Sequence, residues 1–235
     1  MTALEINQRV TLPNNPRPIL SIGLGGIVHD AHYPAYKLAG FQVIGGFDLN
    51  PDRATMMQDK FEIPKLYPSI AALVEDAPQN IIFDVAVPGS ALLDVLRQLP
   101  DDSAVLIQKP MGENLEQAKA ILSLCREKNF TAAINFQLRF APFIIAARDM
   151  IERDLIGEVY DIDARFQIET PWHLWDFLFT IPRMEILYHS IHYVDMMRSF
   201  VGNPHRVYAK TINHPASSTI SGGTRSRIIM DYGDN

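Results

Sequence analysis

Short apolar runs alternate with helical patterns through the first half of the chain. Helices are predicted over residues 31–38, from Pro51, and over residues 91–96. The apolar runs that they separate are ILSIGLG from Ile19, FQVIGGFD from Phe41, IIFDVAVP from Ile81 and AVLIQKP from Ala104. Because these runs are too apolar to face water on either side, the alternation predicts a parallel sheet covered by helices on both faces.

One more helix and one more strand complete this first domain. The helix is predicted by four residues at helical spacing, which are Leu115, Ala118, Leu122 and Cys125. The run TAAINF from Thr131 is predicted to be a further buried strand. Residues 18–136 are therefore predicted to form a doubly wound α/β domain of the Rossmann type.

The pattern changes after Pro142. A helix is predicted over residues 143–155, and beyond Gly157 apolar and polar residues alternate strictly. The apolar members of this alternation are Tyr160, Ile162, Ala164, Phe166 and Ile168. Strict alternation is typical of a strand with one wet face, as in an antiparallel sheet packed on helices from one side. Residues 137–235 are therefore predicted to form an α+β domain with an open-faced, largely antiparallel sheet.

The two ends of the chain differ from the rest. Residues 1–17 contain LPNNPRP and are predicted to be an irregular leader. In the last part, RVYAKTI from Arg206, a Gly222-Gly223 turn and RSRIIMDYGDN from Arg225 continue the second domain. The closing YGDN has the composition of a hairpin turn without a returning strand, and folded proteins usually avoid such an open edge. We therefore expect that this sequence is a C-terminally shortened version of a longer protein.

Composition and charge restrict the class of partner. The 235 residues are 47% hydrophobic and 20% charged, which is typical of a globular protein with a substantial core. A net charge of -6 without a basic run argues against nucleic acid and anionic membranes, so a small molecule is the expected partner. Cys125 is the only cysteine, which excludes an intrachain disulfide and a multi-cysteine zinc site. Without a signal peptide or a membrane-spanning apolar run, we expect a soluble cytoplasmic protein.

A glycine-rich turn follows the first predicted strand. Gly23-Leu24-Gly25-Gly26 lies between that strand and a helix, and Asp48 ends the second strand. In a dinucleotide fold the first glycine permits the tight turn and the second lets the backbone approach the pyrophosphate, while an acidic residue binds the ribose hydroxyls. Val28 replaces the third glycine of the G-x-G-x-x-G pattern. The alternative is an ordinary glycine-rich turn of an α/β protein.

The end of the second strand also bears on the choice of cofactor. A carboxylate at Asp48 would repel a 2′-phosphate, so it favours NAD. Arg53 lies nearby in the sequence and softens that preference. We therefore predict NAD as the cofactor, with NADP as the second option.

Lys109 closes the last of the four apolar runs. In an open parallel sheet, ligands bind outside the carboxyl ends of the strands, and Lys109 is predicted to lie there. Its ammonium group is suited to hydrogen-bond a substrate hydroxyl and to stabilise a developing alkoxide, and burial would lower its pKa. The alternative is a solvated surface lysine at a strand end.

Polar side chains occur at helical spacing in the apolar segment ILYHSIHYVD from Ile186. One side of a helix would carry Tyr188, His189, His192 and Asp195. The other side would carry Leu187, Ile191 and Val194. We interpret the first side as chemical and the second as core. Two alternatives stay open: the histidines are satisfied core residues, or Glu185, His189 and His192 form a metal-binding face.

An aromatic segment precedes this helix. It contains Trp172, His173, Trp175 and Phe177. These residues would either wall a substrate pocket, because rings stack on the C–H faces of sugars, or anchor a buried loop. His29 and His32 follow the glycine turn, and we assign them capping or packing roles at the first helix.

Taken in order, these motifs resemble those of the Gfo/Idh/MocA family, the relatives of glucose-fructose oxidoreductase and inositol dehydrogenase. The resemblance runs from about residue 18 to the end of the sequence with ordinary spacings. The collinear motifs are Gly23-Leu24-Gly25-Gly26, Asp48, Pro88 in VAVPGSA, QKP from Gln108, NFQLRFAP from Asn135, DLIGEV from Asp154 and SIHYVDMM from Ser190.

The resemblance implies a nicotinamide-dependent oxidoreductase that acts on a sugar, polyol or related hydroxy compound, with its active site between the two domains. It implies that Lys109 polarises the substrate oxygen, that His192 takes the hydroxyl proton as hydride passes to the cofactor, and that Gln137 lies near the nicotinamide. Family members often pair their open-faced sheets, so a homo-oligomer is expected. The predicted cofactor-binding residues are Gly23, Gly25, Gly26, Ile27, Asp48, Arg53, Pro88, Lys109 and Gln137.

Four positions depart from the family pattern. Three of them are Gln108 in place of a glutamate, Val28 in place of a small residue and Leu92 in place of a histidine. Tyr188 stands where many relatives have an aspartate one turn before the catalytic histidine, and a phenol supplies no charge at neutral pH. His189 or Asp195 would assume part of that role. These departures keep open the alternative of a non-catalytic dinucleotide-binding sensor of the same fold.

Overall fold

The computed structural model describes residues 5–168, 176–215, 220 and 222–233. These residues form two compact units. The first runs from Thr11 to Asn135, and the second combines the described residues from Phe136 onward with those that precede Thr11. The irregular N-terminal segment is therefore shared between the two units.

The first unit, all of whose residues are described, contains a parallel sheet of five strands, which confirms the predicted doubly wound architecture. The strands are β1 (Ile19–Ile22), β2 (Val43–Phe47), β3 (Ile82–Val85), β4 (Ala104–Ile107) and β5 (Thr131–Ile134). Neighbouring strands pair in parallel in the order β2-β1-β3-β4-β5. The helices are α1 (Tyr33–Ala39), α2 (Pro51–Phe61), α3 (Ile70–Glu75), α4 (Gly89–Gln98) and α5 (Leu115–Glu127).

Local sequence sets where the helices of this unit begin. Asn50, Ser69 and Asn114 each accept a hydrogen bond from the amide three residues further on, and so cap α2, α3 and α5. Pro51 occupies the start of α2, where its missing N–H costs no helical hydrogen bond. Gly40 ends α1 in the left-handed conformation, with a φ of 72°.

The core of the first unit lies between the sheet and its covering helices. β1 is buried along its whole length, as predicted for a strand covered on both faces. The largest fully buried side chains of this core are Leu20, Ile22, Phe83, Leu73, Leu92, Leu96, Leu99, Ile107 and Ile121. Each such side chain stabilises the fold by about 1.5–3 kcal/mol relative to exposure.

The helix predicted from Leu115, Ala118, Leu122 and Cys125 is present as α5, whereas the prediction that the last strand, β5, is buried is wrong. On α5, Leu115 and Leu122 are exposed, while Ile121 and Leu124 face the core. Neighbouring stripes of a helix carry apolar residues at the same spacing, and packing against the sheet selects one of them. The strand β5 is mostly exposed because it lies at the edge of the sheet, where it pairs with β4 alone.

A buried polar cluster joins α1 to β3 and to the end of β5. Asp84 in β3 has no exposed surface, and its Oδ2 lies 2.9 Å from His32 Nδ1 and accepts a hydrogen bond from the Tyr36 hydroxyl at 3.0 Å. The Asn135 side-chain amide lies 3.0 Å from the other ring nitrogen of His32. Burial and the nearby charge of Asp84 raise the pKa of Tyr36, so the phenol stays protonated. His32 therefore packs inside the unit.

We predict that His32→Ala destabilises the protein by about 3 kcal/mol, because it removes a hydrogen-bond partner of a fully buried carboxylate. Chemical denaturation followed by circular dichroism measures the change. His29→Ala is the matched control, since His29 pairs with the exposed Asp30, and surface pairs contribute less than about 1 kcal/mol. Equal losses of stability in the two variants would contradict the importance of the buried cluster.

The second unit combines helices with one antiparallel strand pair among its described residues. The helices are α6 (Pro142–Glu152) and α7 (Ile191–Val201), with short helical turns over Gln137–Phe140, Asp176–Phe179 and Glu185–Ser190. The strands are β6 (Arg206–Ile212) and β7 (Arg225–Asp231). The N-terminal segment is held to α6, because the Asn7 amide donates to Asp149 and Arg153 donates to the Glu5 carbonyl. None of the helices in the described ranges combines the length and apolarity that crossing a membrane requires.

The strand predicted from the alternation over residues 160–168 is not present. These residues form no backbone ladder. A cleft of about 490 Å³ lies beside them, lined by Ala164 and Phe166 of this segment and by Ile228 and Met230 of β7. A strand needs a hydrogen-bonded neighbour, so alternation of apolar and polar residues alone does not produce one.

Candidate active site

Gly23 forms the tight turn that ends β1. Its φ of +88° lies in the left-handed region, and a Cβ at this position would lie 2.4 Å from the carbonyl oxygen of Ala86. Any other residue would be strained and would clash with the backbone. The Gly23 amide donates to the Phe47 carbonyl at 2.8 Å, so the turn is attached to the end of β2.

Gly25 is glycine for a different reason. A Cβ on Gly25 would meet no atom within 4 Å, so the fold itself does not require glycine here. Gly26 and Ile27 are exposed beside it, and the amides of Val28 and His29 both donate to the Gly25 carbonyl. The open space therefore lies next to the start of a helix, where free amides and the helix dipole favour an anion such as a pyrophosphate.

Val28 replaces the third glycine of the G-x-G-x-x-G pattern, and its side chain is packed in the core. It is fully buried in an apolar cluster with Leu24 and Met57. The chain passes through a π turn, Val28–His32, before α1 begins. Packing of the valine side chain thus accommodates the departure from G-x-G-x-x-G.

The Asp48 carboxylate at the end of β2 is enclosed by hydrogen-bond donors. Its Oδ2 accepts from the Leu24 amide at 2.7 Å and from Arg53 Nε at 3.1 Å. Its Oδ1 accepts from the Asn50 amide at 2.7 Å and from Arg53 Nη2 at 2.8 Å. Burial alone would raise the pKa of Asp48, but the hydrogen bonds from Arg53 and the two amides, together with the Arg53 charge, lower it. The carboxylate is therefore ionised and ties the glycine turn to α2.

Lys109 follows β4 at the same edge of the sheet as the glycine turn, as predicted. It is half-buried, and burial lowers its pKa from 10.5 to about 8. A solvated surface lysine would keep its ordinary pKa, so that alternative is not supported. Gln108 is buried, and its amide donates to the Val85 carbonyl at 2.9 Å, which fixes the backbone before Lys109.

The loop after β3 reaches the same edge. Pro88 immediately precedes α4 and lies between the ends of β1 and β4 in the strand order. Leu92, at the position where the family often has a histidine, is fully buried in the core. Leu92 therefore contributes packing to α4.

The segment with the predicted acid-base residues begins as a π turn. Glu185–Ser190 is π-helical and continues into α7. A π turn has more residues per turn than an α-helix, so the spacing that predicted one polar side does not hold before α7. On α7 itself, His192 and Asp195 are buried whereas Ile191 and Val194 are half-buried. On α7 the side predicted to be core is therefore less buried than the side with His192 and Asp195, and the chemical role of that second side stays a prediction.

Asp195 is bound by Arg139, a residue that the sequence reasoning did not select. The guanidinium donates from Nε at 2.5 Å and from Nη2 at 2.6 Å, one bond to each carboxylate oxygen. These hydrogen bonds raise the pKa of Arg139. Arg139 compensates the charge of Asp195, so the idea that Asp195 supplies the missing charge partner of His192 stays a prediction. One feature of the sequence could have indicated Arg139, which is an arginine among the apolar residues of LRFAP in the NFQLRFAP motif.

His192 lies against Phe136, the other residue that sequence reasoning missed. The two rings meet edge to face, with centroids 6.1 Å apart and planes at 89°. The histidine is buried, which restricts the orientation of its ring. Tyr188 packs on a small apolar cluster around Met184, and His189 is half-buried. The catalytic roles assigned to Tyr188 and His189 stay predictions.

The proposed metal-binding face receives no support. The Glu185 carboxylate accepts hydrogen bonds from the Ser190 hydroxyl at 2.8 Å and from the Ser226 hydroxyl at 2.9 Å. Within the described residues, no three His, Cys, Asp or Glu side chains are grouped so as to hold a metal ion. Glu185 therefore links the π turn to β7.

Two further predictions concern the surroundings of the site. Gln137 opens the turn Gln137–Phe140 and is exposed, and its contact with nicotinamide stays a prediction. The residues Trp172, His173 and Trp175 lie outside the described residues. The predicted aromatic wall, including Phe177, therefore stays a prediction.

Residues 18–136 match the family model described as the oxidoreductase family with an NAD-binding Rossmann fold. The chain belongs to the Gfo/Idh/MocA oxidoreductase family. The match covers the first unit, where the tight turn at Gly23, the open space at Gly25 and the helix start fit a dinucleotide. These residues would hold the pyrophosphate through backbone amides.

Several named proteins are similar to this chain in sequence or in fold. The D-xylose 1-dehydrogenase (NADP(+)) 2 of Haloferax volcanii is 24% identical over 214 residues, which are 90% of this chain and 64% of that protein. The inositol 2-dehydrogenase/D-chiro-inositol 3-dehydrogenase of Lacticaseibacillus casei is 27% identical over 51% of this chain and 35% of its own length. The crystal structure of an Agrobacterium radiobacter oxidoreductase with NAD+, L-tartaric acid and magnesium has a TM-score of 0.77 at 22% identity, covering 93% and 64% of the two chains. The chain thus spans less than two thirds of these relatives.

We predict that two glycine substitutions separate folding from cofactor binding. Gly25→Ala adds a methyl group that meets no protein atom, so the melting temperature should be unchanged while NAD+ affinity falls about tenfold or more. Gly23→Ala should instead destabilise the protein by about 2 kcal/mol or more, because of its φ and the clash with Ala86. Calorimetric melting and NAD+ titration measure both effects. Unchanged NAD+ affinity in Gly25→Ala would show that the pyrophosphate does not lie at this turn.

Proposed function

We propose that the protein transfers a hydride between a nicotinamide cofactor and a hydroxyl or carbonyl group of a sugar, polyol or related hydroxy compound. The observation that carries the proposal is the half-buried Lys109, with its lowered pKa, at the same sheet edge as the glycine turn. β4 is two positions from β1, so their carboxyl ends are about 10 Å apart. Asp48 follows β2 on the opposite side of β1. This strand order supports a cofactor orientation in which the adenosine half lies toward Asp48 and the nicotinamide half lies toward Lys109.

Lys109 is assigned the role of stabilising charge on the reacting oxygen. The nicotinamide ring supplies the hydride donor or acceptor when the cofactor is bound. The ammonium group of Lys109 donates a hydrogen bond to the substrate oxygen and stabilises the negative charge that develops on it during proton and hydride removal. A pKa of about 8 leaves the ammonium form dominant at neutral pH.

His192 is assigned the role of general base toward the substrate hydroxyl. An imidazole is suited to this role because an unprotonated ring nitrogen can accept the hydroxyl proton. The contact with Phe136 restricts rotation of the ring. The family resemblance of SIHYVDMM supports the same assignment.

Two relatives indicate the substrate class. One is named for oxidation of D-xylose and the other for oxidation of inositols. Both substrates are polyhydroxylated, uncharged and small. We therefore propose a polyhydroxylated compound as the substrate of this protein.

We expect His192→Ala to lower kcat by about 100-fold or more while NAD+ affinity stays within about twofold, because the base acts on the substrate alone. The measurements are absorbance at the reduced-nicotinamide band and titration with NAD+. Phe136→Leu is the comparison variant, since it keeps the imidazole and loosens its orientation, and a smaller loss is expected. Full turnover by His192→Ala would rule out this assignment.

The pKa of Lys109 predicts how activity depends on pH. If the ammonium form is the active one, kcat should fall as pH rises through about 8, where the amine loses its proton. Lys109→Arg keeps its charge at higher pH, so its profile should lack this decline even though its turnover is slower. A decline near pH 8 that persists in Lys109→Arg would assign that titration to another group.

The same shift predicts a gain in stability when the amine is removed. The folded state binds the Lys109 proton less tightly than the unfolded state, so the charged form is penalised at all pH values below about 8. This penalty disappears as pH rises from about 8 to the ordinary lysine value of 10.5. Lys109→Met should therefore be more stable than the wild type at pH 7, and the difference should vanish near pH 10.5. Denaturation at the two pH values measures it.

A second candidate function is a dinucleotide-binding sensor. It is favoured by the engagement of Asp195 with Arg139 and by Tyr188 at the position where relatives have an aspartate. A panel of sugars, inositols and hydroxy acids offered with NAD+ and NADP+ separates the two functions. Turnover of any member supports the dehydrogenase, whereas cofactor binding without turnover of all members supports the sensor.

A further inference from the structure

We propose that a cavity in the second unit, the arginine cavity, binds a small organic phosphate. The cavity has a volume of about 340 Å³, which is at the lower end of the range for small-molecule sites. Its walls come from the N-terminal segment, from α6 and its preceding turn, and from α7. All of these parts belong to the second unit, whereas the glycine turn belongs to the first. The residues that line it include Arg9, Arg139, Arg148, Val10, Phe140 and Ile145.

The helix α7 holds two of the three guanidinium groups side by side. Arg139 donates to both carboxylate oxygens of Asp195. Arg148 donates to the Ser199 hydroxyl at 3.1 Å and to the Ser199 carbonyl at 3.3 Å, and its guanidinium carbon lies 5.0 Å from the centre of the Phe200 ring. Asp195 and Ser199 are four residues apart on α7, so their side chains are neighbours on one face. The two guanidinium groups are therefore fixed next to each other.

The N-terminal segment supplies the third guanidinium group. The Asn7 amide donates to Asp149 Oδ2 at 3.1 Å, and Arg153 donates to the Glu5 carbonyl at 2.8 Å. These two hydrogen bonds hold the segment against α6. Arg9 follows directly, lines the arginine cavity and is exposed. Its guanidinium group is therefore accessible to a ligand that enters the cavity.

The charges in the arginine cavity are not balanced. Among the described residues, neither Arg9 nor Arg148 forms an ion pair, and none of the residues that line the cavity is acidic. The Asp195 carboxylate compensates Arg139. Three guanidinium groups thus share one carboxylate, which leaves two positive charges, although the chain as a whole has a net charge of -6. Like charges held close together repel, and a dianion would relieve that repulsion.

A phosphate monoester matches both the charge and the hydrogen-bond donors. It carries a charge of about -1.5 to -2 at neutral pH and has three strong acceptor oxygens. Each guanidinium has five N–H groups, so Arg139 and Arg148 keep donors beyond those that they use within the protein. Guanidinium groups bind phosphate oxygens with paired hydrogen bonds. Phe140 and Val10 are 61% and 44% exposed and offer an apolar wall to the carbon part of the ligand.

Titration of the full chain with phenyl phosphate, followed by isothermal titration calorimetry at constant ionic strength, tests this inference. Phenyl sulfate has the same shape but a single negative charge, and inorganic phosphate lacks the ring. We expect phenyl phosphate to bind about tenfold more tightly than either, because only phenyl phosphate combines a dianion with an apolar group. The titrations are repeated with NAD+ present, and binding of phenyl phosphate should persist.

Three variants locate the binding. Arg9→Gln removes a charge at an exposed position, so the melting temperature should be unchanged while phenyl phosphate binds about tenfold more weakly. Arg148→Lys keeps the charge but loses the planar group that binds phosphate with paired hydrogen bonds, so affinity should fall about threefold or more. Arg198→Gln is the matched control, since Arg198 is an exposed residue of α7 that donates to Asn203 and does not line the cavity. Its affinity for phenyl phosphate should not change.

Four results would overturn the inference. They are unchanged binding in Arg9→Gln, equal losses in Arg9→Gln and Arg198→Gln, equal affinity for phenyl phosphate and phenyl sulfate, and loss of phenyl phosphate binding when NAD+ is added. The second would indicate an effect of net charge, and the last would assign the phosphate to the dinucleotide site. None of the four concerns hydride transfer, so the proposed function is tested independently of this site.

Discussion

The hydrogen bond from the Leu24 amide to the Asp48 carboxylate is the contact on which the candidate site depends. It joins the glycine turn after β1 to the end of β2, while Arg53 and the Asn50 amide attach the same carboxylate to the start of α2. A buried carboxylate is stable only with such donors, because unsatisfied charge in the interior is costly. The turn, the strand end and the helix start therefore hold one another in place, and Gly25 can leave open space without loosening the fold.

The polar residues of the second unit follow the same physical rule. Asp195 is held by Arg139, and Glu185 is held by two serine hydroxyls. Removing either partner of a buried pair would leave an unpaired charge, which is costly. Such pairs therefore fix the positions of the segments that carry them more than they add net stability. On α7, the Arg139 pair fixes the helix face that also carries His192. The proposed base and the structural ion pair therefore share one buried face of α7.

Periodicity and turn chemistry were sufficient to predict much of the first unit. The apolar runs became β1 to β4, Pro51 and Asn50 started α2, and Lys109 lay at the expected strand end. Periodicity could not choose between neighbouring stripes of α5, because Leu122 and Ile121 fit the same spacing equally well. Nor could it supply a hydrogen-bonded neighbour for residues 160–168, whose alternation is that of a strand.

The sequence by itself determined the apolar runs that became the strands of the sheet, the glycine turn and the residue types at the strand ends, because each is a feature of a few neighbouring residues. Only the tertiary structure decided that Asp195 pairs with Arg139, since the two lie 56 positions apart. It likewise decided that the Asp48 carboxylate is closed to solvent while the Arg53 side chain is partly open. Burial and pairing depend on which distant segments of the chain come into contact. The local sequence pattern around a residue does not specify those contacts.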